Sequence, residues 1–237
     1  MSDRKNIYGI IGAMDSEVAL FKETMDLERT ARIAGMDFCV GSLQDTPVVL
    51  VKSGVGKVNA AVCAQILISE FRVTRIINTG VAGALSGDLN IGDLVISTEA
   101  VQHDFDTSIL GSKKGEITYT GMVAFPADER LRKKAVDAIL ALFPDFTIFE
   151  GRVCSGDQFI VSLEQKQKII SEFGGLCCDM EGAAIGQTCF LNGIPWVVLR
   201  SISDRVDGTG DVQFESFASL AAHCSASVVM HMLTESR

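Results

Sequence analysis

Three acidic residues, Glu17, Glu181 and Asp204, stand where short apolar runs end and the chain turns into its next element. Glu17 lies just past IIGAM, Glu181 follows LCCDM and opens GAAIGQ, and Asp204 closes WVVLRSIS. Carboxylates gathered at one edge of a sheet can activate water, protonate a leaving group or stabilise a cationic transition state. Each also has a bland reading. Glu17 and Glu181 are placed to favour a helix N-terminus through the macrodipole, and Asp204 suits an N-cap or a turn. Glu181 differs in being embedded between CCDM and GAAI, where an unpartnered carboxylate is costly, so function is the better reading there. Arg200, inside an otherwise apolar strand, needs an anion or a hydrogen-bonding network, and one of these acids can supply it.

The glycine-rich segments leave more open. Residues 53–57 (SGVGK) precede a helical pattern and suit an anion. They are no Walker loop, because the first glycine is missing and Val58 replaces Ser/Thr. No G-x-G-x-x-G follows the first strand, which disfavours a dinucleotide. Residues 80–83 (GVAG) either form a tight turn or bring the backbone close to a partner. Phe159, in SGDQFI, either fills core or stacks on a flat ring. Local motifs suggest no Ser-His-Asp or Cys-His arrangement.

The elements that must position these groups alternate along the chain. Residues 7–13 read as a buried strand, followed by helical spacing at Val18, Phe21 and Met25. Two or three short strands are expected between residues 31 and 52, one turning at 41–45. Residues 57–70 are predicted helical, with Val58, Val62 and Ile66 on one stripe, and 75–79 and 93–103 form strands flanking the glycine-rich turn. A helix over 128–142 stops at Pro144, and a strand over 147–155 leads to a helix opened by Ser162 with Gln165 three residues on. Strands at 176–179 and 196–203 enclose a helix starting near Glu181. A final helix runs from about Gln213, with Phe214, Phe217, Ala218 and Ala221 inward. Continuous apolar strands alternating with amphipathic helices predict a three-layer α/β/α sandwich with a mixed, mostly parallel central sheet, as a single domain over residues 1–237. Residues 107–123 fit neither periodicity; loops of that length are often functional or sit at interfaces.

Composition narrows the partners. The 237 residues are 47% hydrophobic and 22% charged, enough for a substantial core. A net charge of −9 without a Lys/Arg cluster argues against nucleic acid. The seven cysteines are odd in number and lack a C-x-x-C pair, so buried free thiols in a reducing compartment are expected. His103, His223 and His231 have no metal-ligand spacing. No signal-peptide core and no apolar run of about 18 residues occurs, so a cytoplasmic protein without a membrane span is expected.

Taken together, GIIGAMDSEV, VKSGVGKVNAA, INTGVAGAL, SGDQFI, CDMEGAAI and LRSISD occur in this order. Over residues 7 to 230 the chain resembles the methylthioadenosine/S-adenosylhomocysteine nucleosidases of the nucleoside phosphorylase superfamily. The resemblance implies a hydrolase that cleaves the bond between adenine and a thioribosyl sugar, with no metal or organic cofactor. It implies that Glu17 activates water, that Glu181 and the Met180 backbone hold the ribose hydroxyls, and that Asp204, helped by Ser203, protonates adenine N7. Phe159 would stack on the purine and the Ile160 backbone would read its edge. Met14 and Val55 would line the sugar and 5′-thio region, beside Val81, Gly83 and Phe214, and Arg200 would order the water. A homodimer is implied, with a neighbouring subunit's loop closing the 5′ end; residues 107–123 match that role loosely.

The residue types suit this chemistry, since breaking an N-glycosidic bond builds positive charge on the sugar and negative charge on the base. Asp204 must carry a proton when it acts, which burial or a neighbouring charge would have to arrange. A phosphorylase is the rival enzyme, but phosphate needs cations beside the glycine turns, and Arg75 lies too far back along its strand. An aminofutalosine nucleosidase is not separated by sequence, and a non-catalytic nucleoside-binding protein is disfavoured because all three acids are present. Two departures stand out: Val81 where many relatives have serine near the water, and Asp179 where glutamate is commoner.

Overall fold

The computed structural model describes residues 6–206 and 214–234, with side chains in the last helix described from residue 220. The first strand, β1 (Tyr8–Gly12), is buried on both faces, as the unbroken run YGIIG requires. It feeds α1 (Asp15–Thr24), whose Val18 and Phe21 turn inward. Three strands follow as hairpins: β2 (Asp26–Ile33), β3 (Met36–Leu43) and β4 (Thr46–Lys52). The first begins earlier than the sequence suggests. Gly41 lies inside β3, and the reversal falls on Gln44 and Asp45, both with positive φ (49° and 64°).

Helix α2 (Lys57–Ser69) buries Ala60, Cys63, Ala64 and Leu67. Val58 and Val62, expected on the inward stripe, are exposed at 74% and 39%. Both sides of this helix are apolar, and the small side chains win the inward position because α2 packs closely on α5 (Gly182–Asn192).

Strand β5 (Arg75–Ala84) runs straight through residues 80–83, so the expected turn there is strand. It is followed by β6 (Leu94–Gln102), β7 (Ala124–Pro126), α3 (Glu129–Leu142) and β8 (Ile148–Ser155). Helix α4 (Leu163–Phe173) is capped as predicted, Ser162 Oγ accepting from the Gln165 amide at 3.2 Å. Then come β9 (Cys177–Asp179), α5, β10 (Trp196–Asp204) and α6 (Phe214–Thr234). No helix among the described residues is long and apolar enough to cross a membrane.

All ten strands join one mixed sheet. Helices α1, α3 and α6 share a core with one face, and α2 and α5 with the other. The pairings β1–β4, β1–β5, β5–β10 and β6–β8 are parallel, whereas the hairpins around β3 and the β6–β10 contact are antiparallel. The sheet is not fully open. Because β5 pairs with both β9 and β10, the strands β5, β10, β6, β8 and β9 close on themselves. Along its other edge β5 pairs with β1 only as far as Asn78 and with β9 only from Gly83. Between them that edge of β5 has no partner strand. The functional cleft opens there.

Candidate active site

The unpaired stretch of β5 explains where Glu17 goes. With no neighbouring strand to accept it, the Val81 amide donates to Glu17 Oε1 at 3.0 Å. Glu17 Oε2 accepts from the Ala13 and Met14 amides at 2.6 and 3.0 Å, at the start of α1. The carboxylate is 3% exposed, and three backbone donors fix both of its oxygens. Gly80 is required by this packing, because a Cβ there would overlap Glu17 Oε1 and lie 2.5 Å from Arg200 Nη1. The approach to a partner, rather than a turn, is what these glycines serve.

Arg200 sits fully buried in β10, as an arginine in an apolar strand demands a network to do. Its Nε and Nη2 donate to Asp179 Oδ2 at 2.9 and 2.6 Å, and Nη2 donates to Asn78 Oδ1 at 2.7 Å. Glu181 Oε2 lies 3.5 Å away. Burial works against this charge, yet Asp179, Glu181 and Glu17 hold its pKa above the ordinary arginine value. The remaining nitrogen, Nη1, has no hydrogen-bond partner among the described residues. It points to the same place against Gly80 as Glu17 Oε1.

Glu181 is the N-cap residue of α5, but its side chain does not cap the helix. Its Oε1 accepts from the Gly56 amide at 2.9 Å, within the SGVGK segment. Burial pushes its pKa up to about 7, with Arg200 pulling the other way and Asp179 adding to the rise. The SGVGK segment does hold anions, the chain's own: Gly56 donates to Glu181 and the Lys57 amide donates to Asp157 Oδ1 at 2.8 Å. Asp179, which the sequence offers only as a departure, is the hub beneath it, bonded to Arg200, to Ser155 Oγ and to the Gly182 amide.

At the opposite end of the cleft, Asp204 is 5% exposed. Ser203 Oγ donates to Asp204 Oδ1 at 3.1 Å, and Gly83 leaves room beside the carboxylate, a Cβ there falling 3.0 Å from Oδ2. Asp204 is buried, as the sequence reading asks, but the neighbouring charge is a cation, the opposite of one that would favour a carboxylic acid. Lys166 Nζ donates to Oδ2 at 2.7 Å. Lys166 went unremarked in the sequence, although a signal exists: it occupies the apolar stripe of α4 with Ile169 and Phe173.

These groups surround one cleft of about 240 Å³. Met14, Val55, Val81, Gly83, Phe159, Ile160, Met180 and Ser203 line it, with all three acids present. Arg200 stands behind the wall, and the side chain of Phe214, at the start of α6, lies outside the described residues. Phe159 is 61% exposed, which excludes the core-filling alternative. Ala13, Ala82, Gln158, Cys178 and Asp179 also line the cleft. Burial pushes the Cys178 thiol up to about 12, so it is no nucleophile at neutral pH. No Lys, Arg or His occurs among the described residues that line the cleft.

Comparison with known proteins identifies the lineage. Residues 7–234 match the family model described as the phosphorylase superfamily. A 5′-methylthioadenosine/S-adenosylhomocysteine nucleosidase from Shewanella denitrificans is 39% identical, the alignment covering 96% of this chain and 98% of the relative. The chain belongs to this nucleosidase family of the phosphorylase superfamily. The nucleosidase of Neisseria meningitidis, solved with methylthio-immucillin-A, superposes with a TM-score of 0.92 at 35% identity, over 97% of this chain and 99% of that one. Futalosine hydrolase of Helicobacter pylori also reaches 0.92, at 31% identity, over 99% and 100% of the two chains. Membership of the nucleosidase family accounts for a cleft lined by three acids.

Proposed function

We propose that this cleft is where the chain, an N-glycosyl hydrolase, cleaves 5′-methylthioadenosine and S-adenosylhomocysteine to adenine and the thioribose product. The observation that carries the assignment of roles is the Glu17 carboxylate, buried at the cleft wall with both oxygens fixed by three backbone amides. So held, it can accept the proton of a nucleophilic water, with the Arg200 guanidinium behind it helping to order that water. Water attacks C1′ as the C1′–N9 bond breaks and its electrons pass to adenine. Asp204, which lies against Gly83 three residues along β5 from Gly80, supplies the proton at N7.

Glu181 and the Met180 backbone bind the ribose hydroxyls, and the Glu181 carboxylate favours an oxocarbenium-like sugar. Phe159 stacks on the purine, while the Ile160 backbone reads its edge. Met14, Val55, Val81 and Gly83 complete the binding surface. Val81 cannot donate a hydroxyl to the water, as serine would, which leaves Arg200 and Glu17 as its supports. The Glu17 carboxylate at the acceptor's position repels phosphate and favours water. Arg75, the candidate phosphate ligand, is tied to Tyr8 and Asn6 at the far end of β5. Futalosine hydrolase resembles the chain less closely in sequence and stands as the alternative substrate class.

We further propose one domain over residues 1–237, a homodimer in which a neighbouring copy closes the 5′ end, and a cytoplasmic location, which the seven free cysteines support. The decisive assay measures adenine release from methylthioadenosine with and without phosphate, and identifies the sugar. Free methylthioribose at a phosphate-independent rate, reduced at least about 100-fold by Glu17→Gln, is expected. A sugar 1-phosphate formed only with phosphate would make the chain a phosphorylase.

A further inference from the structure

Helix α4 buries three side chains, Lys166, Ile169 and Phe173, at i, i+3 and i+7. The first of these breaks the apolar pattern. Lys166 is 0% exposed, and nothing in helix packing calls for an ammonium there. Its Nζ donates to Asp204 Oδ2 at 2.7 Å and to the Arg205 carbonyl at 2.6 Å. The side-chain exposures of the pair are 0% and 8%. A buried ion pair of this kind seldom repays its desolvation as stability, so its retention asks for another purpose.

Resting on the nucleosidase reading above, we propose that Lys166 and Asp204 act as a dyad, with Lys166 supplying through Asp204 the proton that adenine takes. Asp204 Oδ2 accepts directly from Lys166 Nζ, so a proton that Asp204 passes to N7 can be replaced across the same hydrogen bond. As the C1′–N9 bond lengthens, its electron pair moves onto adenine. A proton passes from Lys166 Nζ to Asp204 Oδ2, and one passes from the Asp204 carboxyl to N7. Water bonds to C1′ and gives its proton to Glu17. Glu17 then loses that proton to solvent and Lys166 takes one up, so that one water is consumed and both ends are restored.

The remaining contacts fit this assignment. The Arg205 carbonyl and Oδ2 fix the direction of the ammonium, while Ser203 holds the other oxygen, Oδ1, at 3.1 Å. Lys166 reaches the substrate only through Asp204 and is therefore a positioning and proton-supplying group, not one that contacts the reacting atoms.

The test compares Lys166→Met with the parent on two substrates. One is methylthioadenosine; the other is the 5′-methylthio 4-nitrophenyl riboside, whose nitrophenolate departs without being protonated. At pH 8 the variant is expected to lose about 100-fold in kcat on methylthioadenosine, with KM within about threefold, and to keep the parental rate on the nitrophenyl substrate. Equal loss on both substrates would reduce Lys166 to a structural role, and no loss on either would remove it from the reaction; both overturn the proposal. Lys166→Arg provides a second arm if the methionine variant does not fold. Arginine keeps the cation but does not surrender a proton, so it should remain slow on methylthioadenosine. Parental activity in that variant would overturn proton supply. A parent protein that hydrolyses the nitrophenyl riboside but never releases adenine would defeat the substrate reading instead, and the two failures are distinguishable.

Discussion

At the scale of single residues, Glu181 shows how a site can be held at a cost to the fold. Burial drives its pKa up to about 7, against an ordinary value of 4.5, and the Gly56 amide and Arg200 offset only part of that. The folded chain therefore keeps this proton to higher pH than the unfolded one. Between about pH 4.5 and 7 it binds more protons than the unfolded state, so stability falls as pH rises through that window and levels off above it. Glu181→Gln keeps an oxygen for the Gly56 amide and removes the ionisation. The variant is expected to match the parent near pH 4.5 and to exceed it above pH 7 by about 1–3 kcal/mol, read from urea or thermal unfolding without ligand. The same variant should bind nucleoside at least about tenfold more weakly, because a neutral amide accepts less strongly from the ribose hydroxyls. A stability difference that is flat with pH would mean that Glu181 is ionised throughout and fully compensated by Arg200.

At the scale of elements, the decisive segment is β5, and it is also where sequence and structure part. GVAG carries the usual marks of a turn, and periodicity alone cannot distinguish glycine used for a reversal from glycine used for close approach. The difference lies in what packs against residue 80, namely Glu17 from α1 and Arg200 from β10, and long-range contacts of that kind leave no local trace. The acids themselves were legible, since each ends a continuous apolar run, and so was Arg200, whose charge contradicts its strand. Lys166 contradicts its helix in the same way, but a single lysine in an amphipathic helix usually lies on the wet face, so the sequence alone does not single it out. Gly80→Ala tests the role given to β5. The added methyl would displace the Glu17 carboxylate or the guanidinium, so kcat should fall at least about 100-fold while the far-ultraviolet circular dichroism is unchanged. Gly87→Ala is the matched control, with nothing within 4 Å of the new methyl, and should leave kcat as it was.

At the scale of the whole molecule, the three-layer architecture followed from alternation of apolar strands and amphipathic helices, but the closure of β5, β10, β6, β8 and β9 did not, because pairing partners are chosen by packing across the chain. The same limit explains α2. Its valine stripe read as core, yet the sheet and α5 take the small side chains, leaving Val58 74% exposed and Val62 39% exposed. Val55, which lines the cleft, is 46% exposed just before them, and Leu191 at the end of α5 is 64% exposed. Exposed apolar side chains on α2, just after the cleft-lining Val55, are suited to burial by the second copy proposed above. A stable interface removes roughly 800 Å² per partner from water, and a charge at its centre costs far more than one at its rim. Val58→Asp should therefore shift the sedimentation-velocity mass from dimer to monomer at micromolar concentration. Because the neighbouring copy is proposed to close the 5′ end, the monomer should show a raised KM for methylthioadenosine, while a dilute parent should show the same rise below its dissociation constant. A variant that stays dimeric with unchanged KM would move the interface to another face and separate it from the cleft.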